Sequence, residues 1–206
     1  DDITTDTTPT ISAAGGTSGD TVTITATKGA TTKTCTYVIG AATSCDLPTL
    51  TDGTWSVSAT LTDPAGNTST ASSPLSMQID TTPPSAPPSP NLKNASDTGA
   101  SNVDDITADS TPGISVAGGT AGDVVTVSAT KGGVTLACTF VVGSATYCDL
   151  PSLADGDWSV SATYTDPAGN VSPASGPMAI SIDTTAPSAP SAPDLSAASD
   201  TGTSSS

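Results

Sequence analysis

The sequence repeats itself with a fixed period. Asp1-Asp2-Ile3-Thr4 returns as Asp104-Asp105-Ile106-Thr107, and Trp55 returns 103 positions later as Trp158. The register holds without a gap, and roughly two residues in three are identical between the halves. A period of this length is the size of one small domain. The chain is therefore predicted to be a string of similar domains rather than a solenoid of short repeats.

Alternating segments within each repeat predict β-strands. In Asp20–Thr27, the residues Val22, Ile24 and Ala26 share one face while threonines occupy the other, which is typical of a half-buried strand. The segment Trp55–Thr62 alternates in the same way. About seven such strands per repeat, frequent turn signals and no helical period predict an all-β, antiparallel β-sandwich. Trp55 and its counterpart Trp158 are expected to anchor the two cores.

Composition excludes several classes of function. The 206 residues carry 20 acidic side chains against four basic ones, no histidine, and a net charge of -16. Nucleic acid and anionic membrane surfaces both require a basic footprint, so neither is an expected partner. No apolar run of about 18 residues predicts a membrane span. The N-terminus has no signal-like pattern, as expected of a fragment from inside a longer chain.

Each repeat has two cysteines ten positions apart. The stretch between them, TYVIGAATS in the first repeat, suggests a hairpin that would bring the cysteines within disulfide distance. Disulfides Cys35–Cys45 and Cys138–Cys148 are predicted, each worth roughly 2–3 kcal/mol in the chain-entropy model, and they indicate an oxidising compartment. The alternative is two reduced, buried thiols. Zinc is not expected, because histidine is absent and each repeat supplies only two cysteines.

Catalysis finds no support in the sequence. Histidine and arginine are both absent, and the serines lie on strand faces or in loops without a nucleophile elbow. The protein is predicted not to be an enzyme.

The pattern LxDGxWSVSAxxTDPAGNxS, followed by IDTTxPSAP and SDTGxS, resembles the bacterial immunoglobulin-like (BIg) repeats of giant surface adhesins, including type I-secreted Bap/RTX-type adhesins. The resemblance covers essentially the whole chain. It implies tandem immunoglobulin-like antiparallel β-sandwiches of about seven strands each, at the bacterial cell surface. The cysteine pairs depart from the pattern, since many such repeats have none.

The resemblance also implies where each repeat begins, because the domains of this class start near the PSAP segment. Residues 1–83 are then an Ig-like repeat that lacks its first segment, 84–186 a complete repeat, and 187–206 the start of a third. The proline-rich stretch Pro83–Pro90 is interpreted as a semi-rigid spacer.

Carboxylates are the candidates for a metal site. Several aspartates precede the first complete strand of the second repeat, and the turn Asp166–Asn170 is expected at the same end of the sandwich, where Asp80 arrives from the first repeat. Such oxygens suit Ca²⁺, and the resemblance supports calcium at domain junctions. The alternative is that these residues form turns and maintain solubility. The predicted ligands are Asp80, Asp97, Asp104, Asp105, Asp109, Asp166 and Asn170, with Asp2, Asp6, Asp63 and Asn67 as counterparts in the first repeat.

The predicted function is a structural extender of a long extracellular adhesin or fibre, stiffened by Ca²⁺ and with neighbouring repeats as partners. One alternative is a binding module whose loops at Asp46, Asp149 and Asp155–Asp157 contact a glycan or receptor. Another is a filament subunit that exchanges strands with other copies, because a repeat lacking its first segment leaves an unpaired edge.

Overall fold

The computed structural model describes residues 2–196, 198, 199 and 202. All of its regular elements are β-strands, and within the described ranges no helix is long and apolar enough to cross a membrane. Repeat 1 contains β1 (Ile3–Thr4), β2 (Thr10–Ile11), β3 (Thr21–Lys28), β4 (Thr31–Val38), β5 (Cys45–Asp46), β6 (Gly53–Thr62) and β7 (Leu75–Ile79). Repeat 2 contains β8 (Asn91–Leu92), β9 (Ile106–Thr107), β10 (Gly113–Ser115), β11 (Val124–Lys131), β12 (Val134–Val141), β13 (Tyr147–Asp149), β14 (Gly156–Thr165) and β15 (Met178–Ile182).

Each repeat pairs a large sheet with a small one. In repeat 1 the order is β1-β7-β6-β3-β4 in the large sheet and β2-β5 in the small one. In repeat 2 the corresponding orders are β9-β15-β14-β11-β12 and β8-β10-β13. Pairing is antiparallel except where β1 meets β7 and β9 meets β15. The predicted all-β sandwich is confirmed.

The inward faces of the strands form one core per repeat. On β3 the predicted apolar face of Val22, Ile24 and Ala26 is buried. Trp55 and Trp158 are buried as expected, and each indole Nε1 donates a hydrogen bond to a carbonyl four residues earlier, at 2.9 Å to Thr51 and 2.8 Å to Ala154. The indole N–H is therefore satisfied at the edge of an otherwise apolar core.

The two predicted disulfides are confirmed, but the hairpin expected between the cysteines is wrong. Cys35 lies on β4 of the large sheet, whereas Cys45 lies on β5, which pairs with β2 in the small sheet. Cys138 and Cys148 likewise connect β12 with β13. The chain crosses from one sheet to the other between each pair, so each disulfide links the two layers of its sandwich.

The interpretation of Pro83–Pro90 as a spacer is also wrong. Pro87 and Pro90 are buried against repeat 2, and Leu92 follows them into the core with 2% of its surface exposed. Leu92 pairs with Ile114, so β8 extends the small sheet. Prolines suit such an edge position because they offer no N–H to the ladder. The segment is thus an integral edge of repeat 2.

Candidate functional site

A pair of threonines leaves the last strand of each repeat and is held by one aspartate. In repeat 1, Asp52 accepts hydrogen bonds from the hydroxyls of Thr81, at 2.8 Å, and Thr82, at 3.0 Å. In repeat 2, Asp155 accepts equivalent bonds from Thr184, at 2.7 Å, and Thr185, at 2.9 Å. We call each of these three-residue groups an exit clamp, because it ties the segment after the last strand to the turn before β6 or β14.

Hydrogen bonds from the threonines favour the charged form of the aspartate in each exit clamp. The hydroxyl of Thr81 is the main cause that lowers the pKa of Asp52, with Thr82 and the nearby Lys28 acting in the same direction. The pKa of Asp155 is lowered by Thr184 and Thr185. Because the ionised carboxylate is the better acceptor, each exit clamp is strongest when its aspartate is charged.

A lysine completes each exit clamp from the neighbouring strand. Lys28 donates to the Thr51 hydroxyl at 3.0 Å and to the Asp52 carbonyl, and its ammonium lies 5.5 Å from the centroid of Trp55. Lys131 donates to the carbonyl of Asp155 and lies 5.7 Å from the Trp158 ring. The lysines therefore connect the exit clamps to the core tryptophans through cation–π contact.

The turn Asp166–Asn170 connects repeat 2 to repeat 1. Asp166 accepts the backbone N–H and the side-chain amide of Asn170, both at 2.9 Å. The same side-chain amide donates to the backbone carbonyl of Asp80 at 2.8 Å, beside the exit clamp of repeat 1. Burial acts to raise the pKa of Asp166, but the hydrogen bonds from Asn170 and from the backbone of Gly169 and Ala168 together outweigh it and lower that pKa. We refer to Asp80, Asp166 and Asn170 as the junction.

Repeat 1 contains the same turn. Asp63 accepts the backbone N–H of Asn67 and its side-chain amide, both at 2.8 Å, and the Asn67 side chain is the main cause that lowers the pKa of Asp63. This turn therefore forms through its own hydrogen bonds, without a contact to another repeat. What Asn170 adds is the bond to Asp80.

Three of the predicted calcium ligands lie in a separate acidic loop, formed by Asp97, Asp104 and Asp105. Asp97 is only 5% exposed, and its buried Oδ1 has no hydrogen-bond partner. Burial, followed by the charges of Asp97 and Asp104, raises the pKa of Asp105. Asp105 also adopts a left-handed backbone with φ of 58°, as does Asp2 in repeat 1 with φ of 55°. The loop therefore concentrates negative charge around one unsatisfied carboxylate oxygen.

The prediction that all the candidate ligands meet at one junction is wrong. Ile106, next to the acidic loop, pairs with Ser181, which in turn pairs with Asp157 near the start of β14. Asp166 follows the opposite end of that strand, nine residues away, which is about 30 Å at the rise of a β-strand. The sheet thus separates Asp97, Asp104, Asp105 and Asp109 from Asp80, Asp166 and Asn170. In repeat 1 it separates Asp2 and Asp6 from Asp63 and Asn67 in the same way, because β1 pairs with the end of β7 that lies beside Gly53.

Two of the candidates form ordinary turns. Asp6 accepts the N–H of Thr8 at 2.8 Å, and Asp109 accepts the N–H of Thr111 at 2.9 Å. Both also accept the threonine hydroxyl. This geometry is the turn chemistry that the alternative interpretation assigns to them.

The donor sets differ in how well they fit calcium. At the junction, both oxygens of Asp166 already accept hydrogen bonds, and Asn170 directs its N–H rather than its carbonyl at Asp80, so this set does not fit a cation. The acidic loop fits better, because Asp97 Oδ1 is a buried oxygen without a hydrogen-bond partner. In the described part of the chain, no three acidic, histidine or cysteine side chains are already arranged to hold a metal.

The loops considered for ligand binding are occupied by internal contacts. Asp46 accepts the Thr10 hydroxyl at 2.6 Å, and Asp155 belongs to an exit clamp. Lys93 places its ammonium 3.4 Å from the centroid of the Tyr147 ring, and Tyr147 lies two residues before Asp149 in sequence. Asp149 lies on β13, opposite Gly113.

Sequence reasoning missed the exit clamps. Their signal is the exact recurrence of Asp-Gly before Trp55 and Trp158 and of Asp-Thr-Thr after the last strands. Asp52 and Thr81 are 29 positions apart, so only the paired strands β6 and β7 reveal that they meet.

Comparison with solved structures gives one match that shares the fold of this chain and two with lower TM-scores. The FN1-FN3 domains of chicken CNTN1 match with a TM-score of 0.56 and 9% identity, over 80% of this chain and 54% of that one. A tetra-tandem repeat from the extending region of a large adhesion protein is 23% identical, with a TM-score of 0.33, over 82% and 43% of the two chains. The BSP domain of a biofilm associated protein is also 23% identical, with a TM-score of 0.31, over 90% and 29%. This chain thus spans about half the length of the first of these structures.

A family model supplies the assignment. No curated protein gives a significant match to the sequence. The model described as Bacterial Ig-like domain matches residues 1–81 and again residues 84–184. These two segments lie within the predicted repeats 1–83 and 84–186, and together they account for most of the chain. The chain therefore belongs to the bacterial Ig-like domain family, with one copy of the domain in each repeat.

Proposed function

We propose that these repeats are structural extenders in the stalk of an extracellular bacterial adhesin or surface fibre. The observation that carries the proposal is the hydrogen bond from Asn170 to the Asp80 carbonyl, directly beside the exit clamp of repeat 1. The exit clamp fixes the direction in which the chain leaves one repeat. The junction then fixes the start of the next repeat, so orientation is transmitted along the chain.

The covalent and electrostatic properties of the chain support this role. Each disulfide links the two sheets of a sandwich, which protects a small core outside the cell, where thiols oxidise. A net charge of -16 keeps a repetitive β-protein soluble and opposes edge-to-edge association. Two sandwiches of similar sequence and the same fold suit a role in extending the chain rather than a chemical one, because each repeat adds length.

The junction can be tested by loosening it alone. In Asn170→Ala, both the bond within the turn and the bond to Asp80 are lost, whereas in Asn67→Ala only the bond within the turn is lost. Backbone ¹⁵N relaxation should show the two repeats tumbling more independently in Asn170→Ala than in the wild type, with Asn67→Ala unchanged. Equal tumbling in all three proteins would refute a junction that transmits orientation.

We propose calcium binding at the acidic loop rather than at the junction. The loop offers the unsatisfied Oδ1 of Asp97 beside Asp104 and Asp105, and a bound divalent cation would offset the burial and the neighbouring negative charges that raise the pKa of Asp105. When bound, Ca²⁺ would supply a positive charge that orders this loop against β15. The expected effect is stabilisation of repeat 2, without a change at the Asn170–Asp80 contact.

Calcium binding is tested by titrating the protein with Ca²⁺ in a calorimeter and by melting it in Ca²⁺ and in EDTA. At a free Ca²⁺ concentration of 100 times Kd, linkage gives about 2.7 kcal/mol of stabilisation. Asp97→Asn should abolish the effect, and the exposed Asp157→Asn, which removes the same charge elsewhere, should preserve it. Identical melts in Ca²⁺ and EDTA would leave turn formation and solubility as the roles of these residues.

A further inference from the structure

The first and last strands of the large sheet run parallel to each other. In repeat 2, the backbone N–H of Ser181 on β15 donates to the carbonyl of Asp105 at 2.9 Å, and the N–H of Asp183 donates to the carbonyl of Thr107 at 2.9 Å. The other pairings in this sheet are antiparallel. We call the parallel contact between β9 and β15 the terminal strand pair of repeat 2.

Repeat 1 has the same terminal strand pair, formed by β1 and β7. The N–H of Gln78 donates to the carbonyl of Asp2 at 2.8 Å, and the N–H of Asp80 donates to the carbonyl of Thr4 at 3.0 Å. The pair is therefore a property of the domain and not a local feature of one copy.

The direction of the two strands decides how the pair responds to tension. The chain reaches β9 early in repeat 2 and leaves the repeat after β15, so tension along the chain pulls the start of β9 away from the end of β15. In a parallel pair these two points lie at opposite ends of the contact. Tension therefore slides the strands past each other and loads both backbone bonds together, whereas an antiparallel pair would open one bond at a time.

Side chains hold both strands of the pair in place. Beyond β15, the exit clamp binds Thr184 and Thr185 to Asp155. On β9, Thr107 is only 1% exposed, and its hydroxyl donates to the carbonyl of Ser96. Each strand is thus tied to the rest of the domain by bonds of its own, so a load on the pair is passed to the whole sandwich.

The disulfide of repeat 2 lies outside the terminal strand pair. It joins β12 to β13, and neither of these strands pairs with β9 or β15. While the pair holds, tension along the chain does not reach the disulfide. Once the pair has separated, the disulfide keeps the Cα atoms of Cys138 and Cys148 5.9 Å apart, although the chain between them could otherwise extend to about 35 Å.

We propose that the terminal strand pair is the load-bearing element of each repeat, and that it resists tension between a cell and the surface to which the cell is attached. The disulfide then limits how far a repeat lengthens after its pair has separated. The source of that tension rests on the proposed stalk function, whereas the resistance belongs to the domain itself. A stalk that only extends its chain would not require it.

Pulling repeat 2 in two directions at the same constant force tests the proposal. All four native cysteines are in disulfides, so DNA handles can be attached through introduced cysteines at exposed positions. Handles at Val103→Cys and Ala186→Cys slide β9 against β15, whereas handles at Val103→Cys and Ala174→Cys pull on the beginnings of both strands and peel the pair open. Because sliding loads one more bond at the same time, the folded repeat should last at least ~5-fold longer in that direction. Equal lifetimes in the two directions would overturn the proposal.

Proline variants test the backbone bonds themselves. Ser181→Pro removes the N–H that donates to Asp105. Ala179→Pro is the matched control, because Ala179 lies two residues earlier on β15, with its N–H on the same side of the strand but before the first pair with β9. In the sliding direction, Ser181→Pro should shorten the lifetime by ~5-fold or more relative to Ala179→Pro. Equal lifetimes would contradict the proposal, and the comparison of directions decides it where Ser181→Pro does not fold.

The length of the unfolding step tests the role of the disulfide. In the sliding direction, the variant with Cys138→Ser and Cys148→Ser should release about 30 Å more chain per event than the oxidised protein. Equal steps would refute a disulfide that limits extension. None of these measurements involves the junction, so equal lifetimes in the two directions would overturn the load-bearing pair and leave the relaxation test of Asn170→Ala, and with it the stalk function, unaffected.

Discussion

The side-chain amide of Asn170 donates a 2.8 Å hydrogen bond to the backbone carbonyl of Asp80, which lies 90 residues earlier in the chain. The bond joins the turn after β14 to the end of the last strand of the preceding repeat. The same amide also donates to a carboxylate oxygen of Asp166 at 2.9 Å. One asparagine thus belongs to a turn of its own domain and to the contact between domains.

Replacing Asn170 by Asp is expected to open the junction, because a carboxylate would face the Asp80 carbonyl and stand beside Asp166. Asn67→Asp places the same charge beside Asp63 but leaves the junction intact. Both variants lose the side-chain hydrogen bond within their own turn, and Asn170→Asp also loses the bond to Asp80. Small-angle X-ray scattering should show a broader distribution of interatomic distances for Asn170→Asp only. The same broadening in Asn67→Asp would argue against the junction.

The exit clamp of repeat 2 is expected to make stability depend on pH. Because threonine hydroxyls lower the pKa of Asp155, its contribution is present above the unfolded carboxylate pKa of about 4 and is lost as pH falls through the lower folded value. The variant with Thr184→Val and Thr185→Val should therefore melt below the wild type at neutral pH, and the difference should vanish in acid. Thr135→Val, on an exposed strand position, is the control. A difference that persists unchanged in acid would show that the threonines act through packing.

Asp105 is expected to have the opposite dependence on pH. Burial and the charges of Asp97 and Asp104 raise its pKa, so its contribution is present below the unfolded pKa and is lost as pH rises through the folded value. Asp105→Asn should therefore stabilise repeat 2 at neutral pH in EDTA, and the gain should shrink in acid. Melting curves at both pH values test this, and a loss of stability at neutral pH would contradict it.

Removing one disulfide is expected to weaken one repeat. The variant with Cys35→Ala and Cys45→Ala frees a loop with a sequence separation of 10, which costs about 3 kcal/mol in the chain-entropy model. Urea unfolding should show a lower midpoint for repeat 1 and an unchanged midpoint for repeat 2. The reciprocal variant at Cys138 and Cys148 should reverse the pattern. Loss in both repeats from either pair would mean that the two sandwiches unfold together.

Local patterns predicted the elements of the fold well. The alternation of Val22, Ile24 and Ala26 reflects the period of a strand with one buried face, which depends only on neighbours in sequence. The cysteine pairs also followed from short spacing. The hairpin between them was wrong because strand length and polarity do not show which sheet a strand joins, and β5 pairs with β2 instead of β4.

The calcium prediction shows the same limit. Asp97 and Asp166 are both acidic residues near turns, and nothing in their local sequence shows that a ten-residue strand separates them. Asp97 Oδ1 stands out only once burial is known, because an unsatisfied carboxylate is defined by what surrounds it.

The sequence by itself determined that this protein consists of two similar all-β units with a buried tryptophan and a disulfide in each. Those properties follow from a repeat in constant register, from alternation along single strands and from close cysteine spacing. Tertiary structure alone decided which groups meet: Asp52 with Thr81, Asn170 with Asp80, and Leu92 with Ile114. The physical reason is that these contacts join residues far apart in sequence, and their positions are set by strand pairing and by the order of strands in the sheets.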